Sequence, residues 1–223
     1  NAPSTDSKAF KVIVTSRRSV RFFAKDPIPQ SVIDDCIDSA LLAPNSSNLQ
    51  CWEIHHVSDQ IAQFIKKKGI QQIFTVTGGG AMFLNKAFHD TFGSNICYMH
   101  HEQACAMAAE GYARIKNKPA VVNVTSGPGG MNFVTPIGNC FYDSVPCLFI
   151  TGQIKKEFMR PTKEIRQIGF QESDQVGCFE PVTKYSVMIE KPEDIKYELE
   201  KAIHLMKSGR PGPVHLDIPI DIA

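Results

Sequence analysis

The chain has 223 residues, 43% of them hydrophobic, and a formal net charge of +1 at pH 7. That near-neutral balance provides no electrostatic surface for nucleic acid or for an anionic membrane, and no apolar run reaches the length that spans a bilayer. The length suits one large α/β domain, or one domain with part of a second. The first residues, NAPSTDSKAF, lack the apolar core of a secretion signal and do not begin with Met, so a cytoplasmic protein whose true start is missing is expected. The seven cysteines, Cys36, Cys51, Cys97, Cys105, Cys140, Cys147 and Cys178, are odd in number and form no C-x-x-C pair. Most lie in apolar stretches, which favours reduced packing thiols over disulfides or metal ligands.

In chain order, residues 8–15 are apolar and helix-compatible, and SRRSVRFF then places three arginines around a serine. DPIPQSVIDDCIDSALLAP reads as a helix with Pro29 near its start, an apolar stripe through Ile33, Ile37, Ala40 and Leu41, and a stop at Pro44. NSSNLQ is a polar turn and WEIHHV a short strand candidate. Arg17, Arg18 and Arg21 suit either a solvated basic patch or a phosphate, to which guanidinium groups make paired charge-assisted hydrogen bonds.

RRSVRFF followed by APNSSNLQCW resembles the beginning of FMN-dependent nitroreductases. The resemblance implies that Arg17, Ser19 and Arg21 hold FMN from one subunit, while Pro44, Asn45, Ser46 and Asn48 reach the flavin of a partner. Cys51 departs from the proline usual in that family before Trp52, and the rest of the nitroreductase pattern is absent. The chain changes character near Val57, Ser58 and Asp59 without a glycine, proline or serine linker. Two segments are therefore expected: residues 1–57, an incomplete nitroreductase-like α+β segment, and residues 58–223. An assembled chimera, disjoint segments numbered as one chain, and a native amino-terminal arm all fit that junction.

From Asp59 onward the organisation is regular. Ile61, Phe64 and Ile65 mark the buried side of a helix that Gly69 can end in a left-handed conformation. IQQIFTV reads as a strand followed by GGG, residues 81–89 as a helix, and NICYM as a second strand. A helix begins at Glu102, AVVNVT is a third strand, SGPGG turns into a helix over 132–142, and PCLFIT is a fourth strand. After a long polar connection, Pro192 opens a helix striped by Ile195, Leu199, Ala202, Ile203 and Met206, and RPGPVHLDIPID supplies a turn and a closing strand. Strands alternating with helices, with glycine at strand carboxyl ends, predict an α/β fold: a doubly wound parallel sheet with helices on both faces. Strand order is not legible in this pattern.

The stretch YMHHEQACAMAAEGYAR concentrates the chemistry. Glu102, Ala106, Ala109 and Ala113 share one helical face, and Ala104, Ala108 and Gly111 a neighbouring one, so one carboxylate is followed by side chains small enough for close approach. A first-turn acid also complements the helix dipole, which is the simpler reading of Glu102. Gly78, Gly79 and Gly80 lack the G-x-G-x-x-G spacing of a dinucleotide loop, and SGPGG lacks a P-loop lysine; both also suit plain tight turns.

VTGGGA, HHEQACAMAAEGYAR, TSGPGGMN and GRPGPVHLDIPID, in that order and spacing, resemble the pyrimidine-binding domain of thiamine diphosphate enzymes related to acetolactate synthase. The resemblance implies that Glu102 is catalytic, hydrogen-bonded to the aminopyrimidine nitrogen so that the cofactor can activate its own thiazolium carbon. It places Gly78, Gly79, Pro128 and Asn132 against the cofactor, lets Ser126, Gly127 and Gly129 shape the turn, and sets Gln171 in the substrate channel with Phe170 packed beside it. His100 and His101 are expected in structural or solvent-facing roles. The implied activity is that of a transferase or lyase acting on a 2-keto acid as decarboxylase or carboligase. The diphosphate and its magnesium would be held by a separate domain bearing a G-D-G motif, supplied by a second subunit of a homo-oligomer, so this chain alone should be catalytically incomplete. A flavin reductase and a non-catalytic interaction module are the competing readings.

Overall fold

The computed structural model describes residues 51–223. The expectations for Arg17, Ser19, Arg21, Pro44, Asn45, Ser46 and Asn48, and the helices expected before them, lie outside those residues.

The first element, α1 (Cys51–Lys67), runs unbroken through the change of character at Val57 to Asp59, so WEIHHV is helical and not a strand. Read alone, its apolar residues alternate as in a strand; joined to SDQIAQFIKK they continue a helical period through Val57, Ile61 and Ile65, and no glycine or proline stops it. Gly69 does end that stretch, at φ +81. The chain continues through β1 (Ile73–Thr75), α2 (Met82–Phe92), β2 (Ile96–Tyr98), α3 (Glu102–Lys116) and β3 (Val121–Val124). A short turn of helix, α4 (Pro128–Met131), precedes α5 (Val134–Tyr142) and β4 (Leu148–Gln153). Last come α6 (Gln175–Phe179), β5 (Tyr185–Met188), α7 (Ile195–Lys207) and β6 (Val214–Pro219). The sequence pattern did not anticipate α6 or β5.

All pairings are parallel, and the strand order is β2-β1-β3-β4-β6-β5. The α/β sheet with helices on both faces is therefore present. Because side chains alternate across a strand, each central strand feeds two cores. Ile73, Val121, Leu148 and Ile150 pack with Ile61 and Ile65 of α1, Leu84 and Phe88 of α2, and Leu199 and Met206 of α7. Phe74, Val122, Val124 and Phe149 pack on the other face with Cys105, Ala106 and Ala109 of α3 and Ile137 and Cys140 of α5. β1 thus leads to a helix on one face and its neighbour β3 to a helix on the other. Their carboxyl ends form the crevice in which open α/β sheets bind ligands.

A polar stripe crosses the sheet at β4, β5 and β6. Thr151 Oγ1 donates to Asp217 Oδ1 at 2.6 Å and lies 2.8 Å from His215 Nε2, while Ser186 Oγ lies 2.8 Å from His215 Nδ1. While Asp217 is ionised and takes the threonine proton, donor accounting puts the imidazole proton on Nε2 and leaves Nδ1 to accept from Ser186. Burial pushes the Asp217 carboxyl up to about 7 from 3.8, and burial pushes His215 down to about 3 from 6.5. The two act in opposite directions on stability. Folding favours protonated Asp217, so its contribution is lost as pH rises from about 4 towards 7; folding favours neutral His215, so its contribution is lost as pH falls from about 6.5 towards 3. Between those limits the slopes oppose each other. Asp217→Asn should unmask the histidine: urea denaturation from pH 4 to 6.5 should show its stability rising by about 1.4 kcal/mol per pH unit relative to the parent. Parallel profiles for the two proteins would contradict this assignment.

Candidate functional site

The two glycine turns are the carboxyl-terminal extensions of adjacent strands. Residues 78–80 follow β1 and residues 126–130 follow β3. Thr125 joins them: its Oγ1 accepts the Gly80 backbone N–H at 3.0 Å, and its side chain fills the space that a Cβ on Gly78 or on Gly129 would need. β4 approaches from the other side, where a Cβ on Gly152 would lie 2.1 Å from the Gly80 carbonyl oxygen. Gly127 sits at φ +61, and a Cβ there would meet the Gln171 carbonyl oxygen at 2.4 Å. A left-handed backbone and a neighbouring carbonyl both demand glycine at that point.

Glu102 opens α3, with His101 as its N-cap: His101 Nδ1 accepts the Gln103 backbone N–H at 3.1 Å. Both His100 and His101 are exposed, and His101 has a structural task as the cap. The helix packs on the sheet through Cys105, Ala106, Ala109 and Ala113, all buried. Alanine on that face lets the axis approach closely enough for the first-turn carboxylate to overhang the β3 turn. Glu102 Oε2 accepts from Asn132 Nδ2 at 2.8 Å. Its Oε1 lies 3.7 Å from where a Gly129 Cβ would be, and among the described residues it accepts no hydrogen bond and Glu102 joins no ion pair. The side chain is half-buried, so the free oxygen keeps one open side. Below it, burial first and the Glu102 charge second push the Cys105 thiol up to about 12, which keeps that sulfur protonated and inert.

The structure therefore brings Glu102, Asn132, Gly78 and the 126–130 turn together at the switch point. Gly79 stands over open space, and Pro128 is exposed at the start of α4. Gln171 joins the group through its backbone, at φ +61 against Gly127, but Phe170 is 85% exposed and packs on nothing comparable.

Residues 55–178 match the family model for the thiamine pyrophosphate enzyme, N-terminal TPP binding domain. The chain belongs to that family. Among curated relatives, it is 38% identical over 160 residues to the acetolactate synthase catalytic subunit, mitochondrial, of Saccharomyces cerevisiae, covering 72% of this chain and 22% of the relative. It is 40% identical over 166 residues to the acetolactate synthase large subunit of Lactococcus lactis, covering 74% and 28%. It is 39% identical over 165 residues to the probable acetolactate synthase large subunit of Methanocaldococcus jannaschii, covering 74% and 27%. The chain thus spans about a quarter of the length of these relatives. A second model, for the nitroreductase family, matches residues 14–92 and overlaps the first over 55–92. Over the overlap the structure is α1, β1 and α2 of the parallel sheet of this thiamine pyrophosphate enzyme domain.

Two site residues escaped the reading of the sequence. Thr125 is an ordinary strand-end threonine until β1 is known to lie beside β3, since its partner Gly80 is 45 positions away. Glu172, whose carboxylate accepts the backbone N–H groups of Arg160, Ile168 and Gly169, lies in a loop with no periodicity. In this thiamine pyrophosphate enzyme domain Thr125→Val should cost about 1–2 kcal/mol by stranding the Gly80 N–H, whereas Thr125→Ser should keep most of that bond. Urea midpoints at constant m-value measure the difference; a loss in Thr125→Ser with none in Thr125→Val would place the effect in the methyl group instead.

Proposed function

We propose that this chain is the pyrimidine-binding domain of a thiamine diphosphate-dependent enzyme that decarboxylates a 2-keto acid or ligates it to a second carbonyl compound. The carrying observation is the carboxylate of Glu102, oriented by Asn132 through one oxygen and, among the described residues, free at the other, on the rim of a crevice whose turns are mostly glycine. An acid serving only the helix dipole needs no amide to orient it.

The residues fit the group. A flat aminopyrimidine needs backbone at van der Waals distance on its faces, which the turns at 78–80 and 126–130 can offer, and an acid in the ring plane, which Glu102 can be. When bound, thiamine diphosphate supplies a carbon nucleophile and an electron sink for decarboxylation. Glu102 holds a proton at its free oxygen, opposite the ring nitrogen. Asn132 fixes the plane of the carboxyl group, and Gly78, Gly79 and Pro128 border the ring. Gln171 and Phe170 face the keto acid. Diphosphate and magnesium fall to a second domain on another subunit, in line with the chain's share of its relatives' length.

The match over residues 14–92 favours a second reading, FMN held by Arg17, Ser19, Arg21 and Asn48, for which a flavin absorbance in the purified chain is the test. For the preferred reading, Glu102→Gln in the enzyme carrying this chain should lower turnover by at least ~100-fold, the usual scale for a lost general acid or base. Stability should move by no more than about 0.5 kcal/mol, because the amide remains a partner for Asn132. Steady-state rates and a urea titration check both; undiminished turnover would remove the assignment.

A further inference from the structure

The connection between β4 and α6 carries a buried carboxylate that joins no ion pair among the described residues. Glu172 is 7% exposed. Its Oε1 accepts the Arg160 backbone N–H at 2.7 Å, and its Oε2 accepts the backbone N–H groups of Ile168 at 2.8 Å and Gly169 at 3.3 Å. The Arg160 guanidinium turns away, to the Ile165 carbonyl oxygen and to Asp174, each at 3.2 Å. Among the described residues the carboxylate is thus held by peptide dipoles, converging from both ends of residues 160–169.

The loop has other ties as well: the two Arg160 contacts, Gln167 Nε2 donating to the Glu172 carbonyl oxygen at 3.3 Å, and Gly169 packed against Ile154 and Phe158. An open cavity of about 500 Å³ borders the loop, and Glu172 forms part of its wall together with Arg160, Gln175, Met188 and Asp217. The loop's outer surface carries Ile165 at 40%, Ile168 at 56% and Phe170 at 85% exposure, a cluster of apolar side chains turned outward next to the catalytic crevice. At its end Gln171, at φ +61, lays its carbonyl oxygen over Gly127. The Glu172 N–H to Gly169 carbonyl bond of 3.2 Å and the Gln153 amide on the Ser173 carbonyl at 3.0 Å hold the two flanks of that residue.

We infer that Glu172 is a positioning residue for the keto acid: by gathering the Arg160, Ile168 and Gly169 N–H groups it fixes where Gln171 stands over the β3 turn, with the exposed Phe170 beside it. It touches neither cofactor nor substrate. The inference rests on the cofactor reading above and adds the device that sets substrate affinity.

The test uses Glu172→Ala and the gentler Glu172→Gln, which keeps one acceptor oxygen, in the holoenzyme. Amide hydrogen exchange at Arg160, Ile168 and Gly169 should accelerate at least ~10-fold, the scale of hydrogen bonds to a charged group, while amides of β4 stay as protected as in the parent. With pyruvate as the probe keto acid, KM should rise at least ~10-fold, kcat should change by less than ~3-fold, and the Kd for thiamine diphosphate should hold, with Glu172→Gln between parent and Glu172→Ala. Unchanged exchange at the three amides would overturn the inference. So would loosened amides with an unchanged pyruvate KM, because Glu172 would then serve structure only. Full turnover in Glu102→Gln would overturn it from the other side, by removing the cofactor reading, and is distinguishable because the exchange result would stand.

Discussion

Backbone meets backbone at the carboxyl edge of this sheet, and the rest of the site is arranged around that contact. The Gly152 Cα lies so close under the Gly80 carbonyl that even one added methyl group would stand 2.1 Å from its oxygen. Strand β4 is thereby drawn against the turn that leaves β1, and Thr125 at the end of β3 locks the same turn from the other side. Side chains at these points would push the strand ends apart and fill the crevice between them. Closeness of this kind has a cost, since glycine gives up side-chain burial and loses more backbone freedom on folding than other residues do. The large residues that compensate lie deeper: Phe133, Phe149 and Phe179 stack on one face of the sheet, and Phe88, Ile61, Ile65 and Leu148 fill the other.

The same logic runs through α3. Its buried face is built of Cys105, Ala106, Ala109 and Ala113, where leucines would bury more apolar area. What alanine gives in return is a short distance from helix axis to sheet, so that a first-turn glutamate reaches the turn after β3 and not the solvent beyond it. The positive end of the helix favours a carboxylate there, and Asn132 chooses its orientation. One arrangement therefore suits both the helix dipole and the role proposed for Glu102, which is why the simpler reading and the functional one name the same residue.

How much of this the amino-acid sequence carries depends on the range of the interaction involved. The β1, β3, β4 and β6 strands are legible because they are short apolar runs ended by glycine or proline, and the Glu102 helix because its small residues repeat with a helical period. Tyr185–Met188 is not legible: at the sheet edge all four of its residues are only half-buried, so neither an apolar run nor an alternation marks it. WEIHHV misleads because six residues are too few to separate alternation from helical period, and the deciding residues follow Val57. The glycines and Glu102 announce themselves by type. Thr125 and Glu172 do not, because a hydrogen bond across neighbouring strands or within an aperiodic loop leaves no pattern along the chain. Strand order, and with it the switch point between β1 and β3, is a property of pairings that composition never records.

The central claim is geometric, that the free oxygen of Glu102 is aimed at a pyrimidine ring. A crystal structure of the enzyme with thiamine diphosphate bound measures it directly. The account predicts Glu102 Oε1 about 2.6–3.0 Å from a ring nitrogen, with Asn132 still on Oε2 and the ring lying against the 126–130 turn. A pyrimidine seated elsewhere, with Glu102 more than ~5 Å from any ring nitrogen, would contradict it.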